Sequence, residues 1–288
     1  MTIALPDPRG ARPLPVLQVI DGQAAAATRW TPEEAAVALV HDAGTTAVMM
    51  ATPSDIEDLA IGFSLTEGII GSPAEIARLE VVSTDLGVEA RLWLVAARSA
   101  KLASRRRSLA GPTGCGLCGV DSLKAVARPL PKAAGDLRLT AQDVQAALKA
   151  LSERQDLGRA TRAAHAAAWW APGEGLVMAR EDVGRHNALD KLAGALAQDP
   201  IARAPGAVVL TSRVSIEMVQ KAAMIGAEAI VAISAPTALA VEAADQAGIT
   251  LVAIARDDGF MVFSHPERLV DQGRALNGGA VTLVGSAR

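Results

Sequence analysis

Three short and almost wholly apolar runs, "GAVVLTS" (206–212), "AIVAIS" (229–234) and "TLVAIAR" (250–256), recur at intervals of roughly twenty residues in the last third of the chain. Between them lie "VSIEMVQKAAMIG" and "TALAVEAADQAG", whose apolar residues repeat with the helical period. A strand without polar alternation has no face to offer water, so it belongs in a sheet covered on both sides. Parallel neighbours of that kind need helical crossovers. The chain is therefore expected to build β-α-β-α-β units into a three-layer α/β sandwich.

Upstream, "HAAAWW" and "GLVMARED" read as paired strands about a Pro-Gly turn, with Trp169 and Trp170 in the core. Thr140 and Asp143 mark a capped helix, "AQDVQAALKALSERQ". The first third has a different pattern. "LPVLQVIDG" reads as a strand, and "AAVALVHDAGTTAVMMATP" as a hairpin turning at Asp42-Ala43-Gly44. Ser54 with Glu57 predicts a capping box, Ser72-Pro73 with Glu75 predicts a second, shorter helix, and "LEVVSTDLGVEARLWLV" predicts another hairpin. "AARSAKLASRRRSLA" reads as a helix. The expected organisation is an extended tail (1–15), a small α+β domain (16–104), a mobile loop and linker (105–135), and an α/β domain (136–288).

Half of the 288 residues are apolar, so a sizeable core needs no disulfides. Aromatics make up only 2%, there is no tyrosine, and the net charge is −3. Neither a base-stacking platform nor a basic face is available, which argues against nucleic-acid binding. No apolar run is long enough to span a membrane. The N-terminal "MTIALPDPRGARPLP" places charges and prolines where a signal peptide needs an apolar run, so the expected location is cytoplasmic.

In open α/β sheets, ligands bind beyond the carboxyl ends of the strands. Those ends carry Thr211-Ser212-Arg213, Ser234-Ala235-Pro236-Thr237 and Arg256-Asp257-Asp258-Gly259. Arginines and hydroxyls ahead of helix N-termini suit a phosphate, and paired carboxylates suit a base edge such as that of guanine. Taken singly, Ser212 and Thr237 also fit as helix caps.

Both cysteines fall in "GPTGCGLCGV" (111–120). Cys115 and Cys118 are too close together to staple distant parts of a fold. A structural zinc site needs four ligands, and the four histidines (His41, His165, His186, His265) show no ligand spacing with this pair. The zinc deaminase pattern is also absent, because no H-x-E precedes the cysteines. Gly111, Gly114, Gly116 and Gly119 surround the pair, which favours a thiolate that moves over a packing cysteine. Arg105, Arg106 and Arg107 could lower its pKa, or form a solvated helix face. In "EDVGRHNALDK", His186 and Asp182 read either as a hydrogen-bonded positioning pair or as a histidine capping the next helix. Glu217 and Lys221 read as a surface ion pair.

"RRRSLAGPTGCGLCGV", "HAAAWW", "REDVGRHNALDKL", "SRVSIEMVQKAA", "SAPTALAVEAA" and "TLVAIARDDGFMVFSHPERL" together resemble the FdhD family, from about residue 34 to about residue 270. The resemblance implies a cytidine-deaminase-like α/β sandwich with a smaller α+β domain at the N-terminus. It implies a sulfurtransferase that takes sulfur from a cysteine desulfurase of the IscS type. Cys115 would carry the sulfur as a persulfide, with Cys118 as its companion. The acceptor would be the molybdenum cofactor, a bis(molybdopterin guanine dinucleotide) bound as substrate, before its insertion into formate dehydrogenase; no metal of the protein's own is implied. The family's cofactor-binding segment falls on Ile254, Ala255, Arg256, Asp257, Asp258 and Gly259, beside Ser212, Arg213 and Thr237. Many relatives read G-D-R-F where this chain has Asp257-Asp258-Gly259-Phe260, so Arg256 is expected to stand in for the missing arginine. A homodimer is also implied. The rival expectations are a zinc-dependent deaminase-like hydrolase and a cofactor-binding chaperone that carries no sulfur.

Overall fold

The computed structural model describes residues 8–109, 129–133, 135–199, 205–271 and 274–275. Cys115 and Cys118 lie outside them. The chain opens on a hairpin, β1 (Ala11–Ile20) against β2 (Gln23–Pro32). Asp21 and Gly22 at its tip both have positive φ, as a two-residue turn matched to the strand twist requires. The strand thus starts inside the segment expected to be tail. Its Asp-Gly signal marks a hairpin that the reading of a single strand passed over.

β3 (Ala35–His41), β4 (Gly44–Ala51), β5 (Ile76–Thr84) and β6 (Gly87–Leu94) form a four-stranded sheet in the order β4-β3-β6-β5, from the two expected hairpins. Helix α1 (Ile56–Thr66) packs Ile56, Leu59 and Ala60 on Val37, Leu39, Ala90 and Leu92 of that sheet. Its start differs from the expected capping box. The N-cap is Asp55, in the left-handed region at φ 51° with no side-chain capping bond, so Ser54 lies one residue outside the cap. Asp tolerates that conformation better than most residues. Ser72 does cap, accepting from the Ala74 N–H, but it opens only a single 3₁₀ turn, Pro73–Glu75. Helix α2 (Ala96–Leu109) carries the three consecutive arginines in its last turns.

The second half begins with α3 (Ala141–Glu153), capped as expected. The Thr140 hydroxyl accepts from the Asp143 N–H, and the Asp143 carboxylate accepts from the Thr140 N–H. A short α4 (Asp156–Thr161) leads into β7 (His165–Ala171), which pairs antiparallel with β8 (Gly175–Asp182). Then α5 (Arg185–Gln198), β9 (Ala207–Leu210), α6 (Ile216–Met224), β10 (Ala229–Ala232), α7 (Ala238–Ala247) and β11 (Thr250–Arg256) come in turn. β9, β10 and β11 are parallel, as their unbroken apolar runs predict. An antiparallel edge strand, β12 (Gly259–Ser264), completes the order β12-β11-β10-β9-β7-β8.

Two crossovers stepping the same way with the same right hand put α6 and α7 on one face of this sheet. Alternate strand residues then sort into two cores. Val208, Ile230 and Leu251 meet Leu189 and Leu192 of α5, Met218 of α6 and Ala244 of α7. Their neighbours Val209, Val231 and Val252 meet Val144, Leu148 and Leu151 of α3. Trp169 and Trp170 are both buried and face opposite cores. The molecule is thus the expected three-layer α/β sandwich with a smaller α+β unit before it.

The two units meet where α1 crosses α5 backbone to backbone. A Cβ built on Gly62 would lie 1.7 Å from the Asp190 carbonyl oxygen, and one on Gly194 would lie 2.0 Å from that of Asp58. No residue but glycine fits either position at this separation. Polar ties flank the crossing: Arg180 Nε donates to Asp58 at 2.7 Å, and Asn187 Nδ2 donates to the Met50 carbonyl at 2.8 Å.

Candidate functional site

The carboxyl ends of β9, β10 and β11 share one sheet edge, and the segments leaving them are laced together by backbone bonds. Val214 N–H donates to the Ala235 carbonyl, Thr237 N–H to that of Val214, and Ile254 N–H to that of Ser234. Because β7 runs against β9, its first residues reach the same edge, where Thr211 Oγ1 accepts from the Ala166 N–H at 2.9 Å. His165 and Asp182 are paired across β7 and β8, so the end of β8 and the start of α5 lie there too.

The expected site residues take distinct places on this edge. Thr237 caps α7, accepting from the Ala240 N–H at 3.2 Å, so its cap reading holds. Ser212 is buried, and its hydroxyl donates to the Arg213 carbonyl at 3.0 Å. It caps nothing, and the N-cap of α6 is Ser215. Arg213 is exposed. Arg256, Asp257, Asp258 and Gly259 form no loop ahead of a helix. Arg256 pairs with Gly259 and the two aspartates make the turn into β12, all three charges being exposed. Helix α3 reaches this turn, Gln145 Nε2 donating to the Arg256 carbonyl at 2.8 Å.

Ile254 is the strained residue of the segment. Its φ is +52°, in a bulge between Ala253 and Arg256 where β11 loses register with β12. Left-handed backbone is costly for a β-branched residue and marks positions that the surrounding structure over-determines. Here the bond to the Ser234 carbonyl helps hold it. Ala255, beside it, is buried in the α3-side core.

"EDVGRHNALDK" is resolved residue by residue. Glu181 accepts from the Leu157 and Gly158 N–H groups at the start of α4, and burial pushes its carboxyl up from the usual 4.5. Asp182 does not pair with His186. It accepts from the N–H groups of Thr52 and Gly184, from Asn187 Nδ2, and from Lys191 at 2.7 Å. Nor does His186 cap α5, whose N-cap is Gly184 with no side-chain bond. Asp190 accepts from Lys221 at 2.9 and 3.0 Å and from Thr66 at 2.7 Å, its carboxyl pushed up by burial against the opposing pull of Lys221. Lys221 is therefore buried and bound to Asp190 and Glu67, the reverse of the expected surface pair with Glu217.

Two residues of the motif stay outside these networks, Arg185 and His186. Burial lowers the pKa of both His165 and His186, and the Arg185 charge adds to it. The other two histidines are engaged elsewhere. His41 bonds Thr46 and Ser64 inside the first unit, and His265 bonds Glu267 and the Asp245 carbonyl. Among the described residues, no group of three His, Cys, Asp or Glu is arranged to hold a metal. No helix among them is long and apolar enough to cross a membrane.

Fold and edge together define an α/β sandwich protein whose strand ends and helix starts make one continuous, polar edge. The family model described as the FdhD/NarQ family matches residues 32–270, and the chain belongs to that family. It is 49% identical over 251 residues to the sulfur carrier protein FdhD of Agrobacterium fabrum, covering 87% of this chain and 93% of that one. With the protein of the same name from Cupriavidus necator it shares 48% over 237 residues, 82% of each chain. The fold matches the crystal structure of a proposed formate dehydrogenase accessory protein from Desulfotalea psychrophila, with a TM-score of 0.70 and 24% identity, over 90% of this chain and 99% of that one.

Proposed function

We propose that this protein is a cytoplasmic sulfurtransferase that carries sulfur to a molybdenum cofactor destined for formate dehydrogenase. The observation that carries the reading is its near-half identity, over most of both chains, with proteins named as sulfur carriers. Its only two cysteines, Cys115 and Cys118, supply the chemistry such a carrier needs. The Cys115 thiolate attacks the outer sulfur of a persulfide on a cysteine desulfurase. A new S–S bond forms on Cys115, and the desulfurase cysteine leaves as thiolate. Transfer onward breaks that bond and returns Cys115 to the thiolate, with Cys118 as its companion.

The cargo is a bis(molybdopterin guanine dinucleotide), received at the sheet edge. Helix starts and the arginines Arg213 and Arg256 suit its phosphates, and the exposed Asp257 and Asp258 suit the donor edge of guanine. Ser212, Thr237 and the strained Ile254-Ala255 segment shape the wall between them, and Gly259 closes the turn. The working form is a homodimer.

The test is mass spectrometry of the purified protein after incubation with a cysteine desulfurase and cysteine. A gain of one sulfur on Cys115, absent in Cys115→Ala, is expected, together with loss of formate dehydrogenase maturation in cells carrying that variant. Full maturation by a Cys115→Ser/Cys118→Ser protein would refute sulfur transfer and leave a cofactor escort.

A further inference from the structure

The hairpin that opens the chain stands outside every core. No residue of β1 or β2 belongs to a buried apolar cluster among the described residues, and Leu17, Val19 and Ile20 are 70, 60 and 57% exposed. Its foot is held to the body: Arg29 Nη2 donates to the Thr161 carbonyl at 3.1 Å, and Glu33 N–H donates to the Gly10 carbonyl at 2.7 Å. Beyond the foot it is a two-stranded sheet by itself. A lone hairpin is marginal in water, and three or more strands with an apolar face are needed for stability. The arm therefore asks for further strands.

Its two edges are not equivalent. The two-residue Asp21-Gly22 turn makes Ile20 and Gln23 a hydrogen-bonded pair, and such pairs recur at every second position towards the foot. The residues between them turn their backbone polar groups outward: Pro13, Pro15, Leu17 and Val19 on β1, and Ala24, Ala26 and Thr28 on β2. Proline has no N–H to offer, so the β1 edge is closed to a further strand except near the tip. On β2, Ala24, Ala26 and Thr28 are all exposed, and among the described residues their outward N–H and C=O groups have no backbone partner. One edge is blocked and the other is open.

We propose that two copies of this chain join along the open edge, β2 pairing antiparallel with its twofold mate so that Ala26 faces Ala26 of the partner subunit. This rests on the homodimer reading given above and names its interface. Strand addition draws affinity from the main chain and specificity from side-chain pockets. Ala24 to Ala27 offer neither pocket nor charge, so this edge does not select a foreign sequence, whereas an identical edge fits it by symmetry. From Pro13 to Thr28 the only charge is Asp21, and pairing about Ala26 sends the two Asp21 carboxylates to opposite ends. Leu17 and Val19 lie on the same face as Ala26 and Ala24, so the assembled four strands share one apolar face.

The experiment is sedimentation velocity of the full-length protein over a concentration series, for wild type and Ala26→Pro, with oxidation of Ala26→Cys as a second readout. The Ala26 N–H points away from β1, so proline there leaves the hairpin's own bonds intact, as Pro13 and Pro15 do on β1. The wild type is expected to be dimeric, with a dissociation constant raised about tenfold or more in Ala26→Pro. Ala26→Cys should form a disulfide between copies, because the opposed Cα atoms of a hydrogen-bonded pair lie about 5.5 Å apart, and Asp21→Cys should not. Peptide mass mapping separates that bond from any made by Cys115 or Cys118. An unchanged dimer in Ala26→Pro, with no disulfide through residue 26, would overturn this interface and leave the homodimer reading standing. A wild type that is monomeric at every concentration would overturn both, and leave the open edge to a strand of another protein. If Ala26→Pro does not fold, the disulfide mapping decides alone.

Discussion

Lys191 and Asp182 form an ion pair at 2.7 Å in which both side chains are fully buried. The ammonium also donates to the Thr52 carbonyl at 2.9 Å, and the carboxylate accepts from the Thr52 N–H at 3.0 Å. One residue at the end of β4 thus binds both partners, joining the first unit to the second. Breaking a buried pair strands the remaining charge, at a cost of about 3–5 kcal/mol. Lys191→Met should lower the unfolding free energy measured by urea titration by an amount in that range, and its midpoint accordingly, while Lys101→Met on the exposed face of α2 should leave both unchanged. Matching midpoints for the two variants would refute the role given to the pair.

Gly62 and Gly194 make the same junction on the apolar side. A methyl at either position overlaps backbone rather than a yielding side chain, so α1 and α5 must separate. Gly62→Ala should therefore destabilise by about 1–3 kcal/mol or more, although alanine is the better helix former. A thermal midpoint at or above that of the wild type would show that the helices have room to part.

Ile254 presents the opposite case. Its left-handed backbone carries strain of about 1–3 kcal/mol, which glycine relieves. Ile254→Gly also loses side-chain contacts and gains unfolded-state freedom, so the effects largely cancel. Its stability should fall by less than about 1 kcal/mol, far below the usual cost of removing a core isoleucine, about 2–5 kcal/mol for truncation to alanine. Under the proposed function, nucleotide affinity should drop in the same variant. A large loss of stability with affinity retained would mean that the bulge serves the fold alone.

The two histidines of the edge make stability depend on pH. Burial, with the Arg185 charge, holds His165 and His186 below the usual 6.5. The unfolded chain therefore takes up protons before the folded one, and stability present above pH 6.5 is lost as pH falls below it. Glu181 acts in the other direction. Its carboxyl lies above 4.5, so the folded chain holds the proton longer and stability declines as pH rises past that value. A difference between variants separates the two. The melting temperature of His186→Gln should fall less than that of the wild type between about pH 7 and pH 5. Parallel curves would refute the contribution of His186.

The central strands were legible because a continuous apolar run admits few alternatives, and β9, β10 and β11 stand where they were read. The Thr140–Asp143 box was legible because both of its partners are local. Lys221 was misread for the opposite reason. Four residues after a glutamate on an amphipathic helix, it has the pattern of a surface lysine, and only the packing of α1 over α6 buries it against Asp190 and Glu67. Asp182 likewise finds Lys191 and Thr52 instead of the nearer His186, and no spacing along the chain announces a partner 130 residues away. The Asp257-Asp258-Gly259 turn carries a hairpin signal that the sequence reading, which stopped at "TLVAIAR", did not use, and β12 forms beyond it.

The crossing of α1 and α5 also bears on how the family can vary. Each glycine faces the carbonyl of the opposite helix, so neither helix can be exchanged for a bulkier homologue without its mate. Thr52 adds the same condition, since it answers to an acid and a base that both belong to the other unit. Recombination that swaps one half of such a protein must carry matched surfaces on both sides of the cut, and the two halves are bound to diverge together.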